Sequence, residues 1–291
     1  VKKDVGRAIL AAALYAVSTP FSKVLLADVP PMMMAALLYL GAGGGMLLFG
    51  VIRGKAGRGG KEGRLTRREL PYTVGMVALD IAAPIFLMLG LSMTTAANAS
   101  LLNNFEIVAT TAVALAVFHE PVSGRLWAGV ACITFSCMLL SVEDAASFAF
   151  SPGSLFVLLA CVCWGFENNC TRKLSEKDPL QVVVVKGFGS GAGSLAIALA
   201  AGERLAALRL TLAALVLGFV AYGLSIFFYV AAQRGLGAAR TSAYYAVSPF
   251  IGAAVSFLVF RQRPSPLFLA ALAVMAAGAV LATEPRRESG A

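Results

Sequence analysis

Four ionisable side chains, Asp80, Glu106, Glu167 and Lys186, lie inside long apolar runs. A charge at the centre of a bilayer costs about 2.5–3.5 kcal/mol even on the lenient insertion scale, so such groups face protein or water. If each run is a spanning helix, Asp80 and Glu106 are roughly 12–14 Å deep, near the midplane. Glu167, near the end of its run, and Lys186, near the start of the next, fall at matching depths, roughly 7–9 Å from the same side. They are expected to pair or to share a polar pocket. Asp80 and Glu106 suit two roles. One is contact with the ammonium of a zwitterionic solute, which we favour; the other is carriage of a coupling proton.

Neutral polar residues fall into stripes around these charges. Trp164, Glu167, Asn168 and Thr171 are spaced i, i+3, i+4, i+7, which is one helix face. Tyr15, Ser18, Thr19 and Ser22 repeat that spacing. Asn103, Glu106 and Thr110 share another face, with Tyr245, Ser248 and Gly252 as counterparts later in the chain. These stripes are expected to wall a cavity; ordinary bonding between spans is the competing explanation. Tyr15, Trp164, Tyr244 and Tyr245 are suited to stack on an aromatic or cationic solute. Pro20, Pro84 and Pro249 lie within runs, where proline removes a donor and kinks a helix. They are expected to shape or move a cavity. Lys23, near one end of its run, suits an anchor whose amine reaches the interface, or a handle for anions at that mouth.

The same residues argue against catalysis. Metal hydrolysis needs two or three convergent ligands, and the single histidine, His119, sits at a turn with no partner at its depth. The five cysteines are odd in number and all lie in apolar runs, which suits packing rather than disulfides or zinc. Gly187–Gly193 lacks the strand and Lys-Ser/Thr ending of a phosphate loop. No cofactor and no metal is expected.

These residues need elements to position them, and the composition says which. Of the 291 residues, 59% are apolar and 13% charged. That excludes a disordered chain and leaves too few charges to cover a soluble domain. The runs read as ten spans, at about 6–26, 32–52, 71–91, 98–118, 124–142, 154–172, 180–201, 211–232, 241–260 and 266–283. Backbone groups in lipid must bond internally, so each should be a helix. The expected fold is an all-α polytopic membrane protein.

Charge placement sets the direction. With the N-terminus inside, 18 of the 24 lysines and arginines fall on inner segments and only Arg204, Arg209, Arg261 and Arg263 fall outside. Both termini are therefore expected in the cytoplasm. This also accounts for the net charge of +9 without nucleic acid. The expected partners are a small solute and the lipid bilayer, and the expected assembly is a monomer or weak dimer.

The chain also repeats. Leu14–Pro30 matches Cys163–Pro179 at an offset of 149, and Phe118–Ser123 matches Phe260–Ser265 at an offset of 142. Each half holds five spans. Five is odd, so the second half enters the membrane inverted, an architecture that places a transporter's site at the midplane between halves. The expected division is 1–142, a periplasmic linker over 143–153, and 154–285. Glycine pairs Gly41/Gly45 and Gly187/Gly191 mark close helix contacts in equivalent spans.

Two segments carry a family resemblance. Ala97–Leu140 contains ANASLLNNFEIVATTAVALAVFHEP, and Gly237–Leu281 contains ARTSAYYAVSPFIGAAVSFLVFRQRPS. Small residues, a mid-helix proline, an apolar run and a Glu-containing turn make the chain resemble the ten-helix EamA-type permeases of the drug/metabolite transporter superfamily. Pro249 and Glu120 fit the pattern; Ile107 and Gln262 depart from it. The resemblance implies two inverted five-helix repeats around a central cavity. It also implies export of small metabolites, amino acids first and aromatic ones among them, across a bacterial inner membrane. A multidrug or organic-cation permease is the nearest alternative. A channel, a lipid or peptide flippase and an intramembrane enzyme are the alternatives of other kinds.

Overall fold

The computed structural model describes residues 2–55, 63, 65–118, 123–144, 149–174, 177–236 and 244–282. The turn with His119 and Glu120, the first residues of the ninth expected span and the basic C-terminal tail lie outside them.

The chain is helical almost throughout. The helices are α1 (Lys2–Ala16), α2 (Ser18–Leu25), α3 (Pro31–Lys55), α4 (Leu70–Met93), α5 (Ala96–Leu102), α6 (Phe105–Phe118) and α7 (Gly124–Ser141). A short antiparallel ladder, Val142–Asp144 with Ala149–Phe150, joins the two halves. The second half has α8 (Pro152–Leu174), α9 (Pro179–Ala200), α10 (Leu208–Gly218), α11 (Ser225–Leu236), α12 (Ser248–Phe260) and α13 (Pro266–Ala282). A π-helical segment, Phe219–Leu224, joins α10 to α11.

Six stretches are long and apolar enough to cross a bilayer. Three more are shorter apolar helices. The remaining crossing is divided between α5 and α6, giving ten in all. Leu48, Val216, Leu258 and Val280 are more than 60% exposed, which in water would be an aggregation hazard and in lipid is the expected outer face.

Helix contacts follow the symmetry of the repeat. Numbering crossings one to ten, two of the four most extensive contacts join three to six (α4 with α8) and eight to one (α11 with α1). Exchanging each crossing with its counterpart five places on turns one of these pairs into the other. The pairs two–seven (α3 with α9) and five–ten (α7 with α13) map onto themselves. At the two–seven crossing a Cβ on Gly187 would lie 2.4 Å from the Gly43 nitrogen, so backbones meet directly there. Gly41 also sits at a close helix contact, with α10, where a Cβ would fall on the Leu215 carbonyl. Glu203 fixes the start of α3, accepting from the Met33 N–H at 2.6 Å and the Met32 N–H at 3.3 Å. These donors have no partner within the helix.

Three crossings depart from the continuous helices expected. The first breaks at Val17, the fourth at Asn103–Asn104 and the ninth before Ser248. The fourth and ninth are counterparts, so the break itself is repeated. Pro20 and Pro249 each sit in the first turn after such a break, so neither can donate to the carbonyl four residues earlier and the expected kink takes the form of an interruption. Pro84 alone of the three is interior, and it deprives the Asp80 carbonyl four residues earlier of its helical donor.

Candidate functional site

The buried charges form one cluster between α3, α4, α8 and α9. Lys186 Nζ lies 3.0 Å from Asp80 Oδ2 and 3.1 Å from Glu167 Oε1. The expected Glu167–Lys186 pair is therefore present, with Asp80 as a third member. Tyr39 OH donates to Asp80 Oδ1 at 2.9 Å, and Thr171 Oγ1 donates to Glu167. Asp80 is fully buried, Glu167 is 2% exposed and Lys186 9%. Such a cluster is stable only while every charge keeps its partners, because a lone buried charge costs several kcal/mol. In this conformation Asp80 and Glu167 face Lys186 rather than an opening.

Asn168, the neighbour of Glu167, points the other way. Its Nδ2 donates to Glu106 Oε1 at 2.6 Å and to Thr110 Oγ1 at 3.3 Å, tying α8 to α6. The expected α8 stripe is thus split. Glu167 and Thr171 belong to the lysine cluster, Asn168 to the Glu106 site, and Trp164 is buried in the apolar core. Adjacent helical residues are about 100° apart, so one stripe can serve two neighbours.

Tyrosines connect the two groups. Ring centroids run from Tyr39 to Tyr222 at 5.3 Å, Tyr222 to Tyr15 at 5.7 Å, Tyr15 to Tyr245 at 5.8 Å and Tyr245 to Tyr229 at 4.9 Å. These separations are typical of tilted and edge-to-face aromatic pairs. Tyr15, Glu106, Thr110, Asn168, Tyr229 and Tyr245 keep partial exposure, whereas Tyr39 and Tyr222 are buried behind them. Tyr244 is 39% exposed, outside this ladder. A carboxylate beside aromatic faces is a place for an ammonium group attached to an apolar or aromatic body.

The half-helices beyond the breaks lie on the opposite side. There α2, α5 and α12 pack on one another. Between them remains a small cavity lined by Tyr15, Thr19, Asn103, Ser248 and Pro249, among others. Ser18, Thr19, Asn103 and Ser248 are each less than 10% exposed. Lys23 locks this side. Its Nζ donates to the Leu91 and Ser92 carbonyls at 2.6 and 3.1 Å, capping the end of α4. Those last carbonyls need donors from outside the helix, and the amine supplies them. Lys23 also borders an open cavity of about 490 Å3 that includes Asn98, Phe260 and Gln262.

Sequence reasoning missed Tyr39. The depth count that paired Glu167 with Lys186 would have placed it near the midplane, within reach of Asp80. Tyr222 and Tyr229 share the face of the eighth span that is the counterpart of the Asp80–Pro84 face of the third, and that face supplies two members of the ladder. Their sign was the need of a buried polar site for aromatic walls with a hydroxyl.

Ten crossings in two inverted halves, with buried charges and broken helices at the middle, define a polytopic membrane transporter. A family model described as the EamA-like transporter family matches residues 5–142 and 151–283, and the chain belongs to that family. A curated relative, an uncharacterized transporter of Methanothermobacter thermautotrophicus, is 25% identical over 273 residues, covering 87% of this chain and 78% of its own length. A solved crystal structure superposes with a TM-score of 0.69 at 18% identity over 98% of this chain and 99% of the other, a likeness of fold.

Proposed function

We propose that the protein exports small metabolites that carry an amino group, amino acids first and aromatic ones among them. Transport runs by alternating access between the two repeats. The observation that carries this reading is the largely buried Glu106, held by Asn168 beside the Tyr15–Tyr245–Tyr229 ladder. The carboxylate takes the ammonium, and the rings take the side chain. Glu106 keeps partial exposure, and the side of α2, α5 and α12 carries an open cavity bordered by Lys23, Asn98, Phe260 and Gln262. Two inverted repeats that meet at a buried site suit a carrier. The excess of lysine and arginine on the N-terminal face supports a cytoplasmic location for both termini. A cell inner membrane is the setting proposed.

One observation favours a second reading, an organic-cation permease. Lys186 is already shared by two carboxylates, so it is committed before any solute carboxylate arrives. Proteoliposomes separate the two. Uptake of labelled phenylalanine and tyrosine is measured against competition by the same molecules lacking the carboxyl group. Competition by the amino acids and not by the amines supports amino-acid transport. Stronger uptake of the amines supports the cation permease. No uptake of either class would overturn both.

A further inference from the structure

Crossings one, three, five and nine end around the open cavity of about 490 Å3 on the face opposite the termini. Its size is within the usual range of about 300–1,000 Å3 for small-molecule pockets. Among the described residues that border it, Lys23 alone carries a charge. A lysine amine has three donors. Two of them go to the Leu91 and Ser92 carbonyls at 2.6 and 3.1 Å. Those bonds hold the amine in place and leave one donor over. Asn98 and Gln262 add neutral amides, and Met93, Leu140 and Phe260 add an apolar wall. Gln262 matters by its type. At the repeat offset of 142 it matches Glu120, so the second half has an amide where the first has a carboxylate. Arg261 and Arg263, both exposed, flank it and add to the positive field at the mouth.

A fixed, half-buried ammonium with a donor to spare suits one negative charge, and a carboxylate bonds it through a charge-assisted hydrogen bond. The apolar wall suits a carboxylate attached to an apolar body rather than a bare inorganic ion. Lys23 is also a cation of the kind the Glu106 site lacks, because Lys186 is already shared by Asp80 and Glu167. We propose that this cavity is a separate binding site on the solute's path, where Lys23 takes the carboxylate of an amino acid and the apolar wall takes its side chain. The proposal rests on the amino-acid reading above and extends it. The two ends of a zwitterion are recognised at different places, the ammonium at Glu106 and the carboxylate at Lys23.

The test uses a probe that has the carboxylate and no amino group, so that Glu106 has nothing to hold. Melting of the purified full chain in detergent is followed against phenylpropanoate, with phenylpropanamide and inorganic phosphate as controls at constant ionic strength. The expected result is a rise that saturates with phenylpropanoate and is absent with both controls. Lys23→Gln removes the charge. Gln262→Glu leaves the cap on α4 intact and places a competing carboxylate in the same cavity. Each should raise the half-effective phenylpropanoate concentration about tenfold or more. If Lys23→Gln does not fold, Gln262→Glu decides. No rise, an equal rise with phenylpropanamide or phosphate, or a rise left unchanged in the folded variants would overturn the proposal. Any of these with phenylalanine still transported would leave the Glu106 reading standing. Lys23-dependent binding of phenylpropanoate without phenylalanine transport would support this site and count against that reading.

Discussion

Lys186→Met is expected to destabilise the protein by about 3–5 kcal/mol, the cost of leaving buried charges without their partner. Lys186 bridges Asp80 and Glu167, and both carboxylates are almost completely buried. Removing the amine leaves two like charges close together in a medium that solvates neither. Methionine has similar length and keeps the packing, so the loss isolates the charge. The check is thermal melting in detergent. A triple variant, Asp80→Leu, Glu167→Leu and Lys186→Met, should recover most of the loss, because a buried ion group replaced whole by apolar residues is often neutral or stabilising. Wild-type melting in Lys186→Met would show that the cluster contributes little.

Glu106→Gln should leave the fold nearly intact and remove most of the transport of ammonium-bearing solutes. A glutamine oxygen still accepts from Asn168, now 2.6 Å from Glu106 Oε1, so the α6–α8 link persists. What disappears is the charge. A hydrogen bond to a charged group is worth about 1.5–3 kcal/mol, or roughly 10–150-fold in kcat/KM. Initial rates in proteoliposomes, with melting recorded alongside, measure this. Unchanged rates in folded Glu106→Gln would remove Glu106 from the site.

The ten crossings and the inverted repeat could be read in the sequence because lipid forces both. An apolar run of membrane length has to be a helix, and an odd number of spans per half has to invert the second half. The Glu167–Lys186 pair was legible for a similar reason, since depth along a helix is a count of residues. The breaks at Val17 and before Ser248 were not, because the apolar pattern continues across them. Pro20 and Pro249 mark the neighbourhood of an interruption without showing that the helix starts afresh just before them. Asn103–Asn104 was a turn signal available in the sequence. It was outweighed by the face that Asn103, Glu106 and Thr110 make in an unbroken helix. Asp80 looked like a solute ligand because its partners come from helices remote in sequence. The pairing of Tyr39 with it depends on how α3 crosses α4 and α9, which rests on the Gly43–Gly187 approach.

The central claim is that a solute bound beside Glu106 is carried by exposing one site to each face in turn. Counterflow tests it most directly. Proteoliposomes preloaded with unlabelled tyrosine or phenylalanine, diluted into a trace of the labelled solute, should accumulate label transiently above its equilibrium level. Preloading should also speed entry compared with empty vesicles. Label that enters at the same rate with or without solute inside, and never exceeds equilibrium, would mean an open path through the protein and contradict the account.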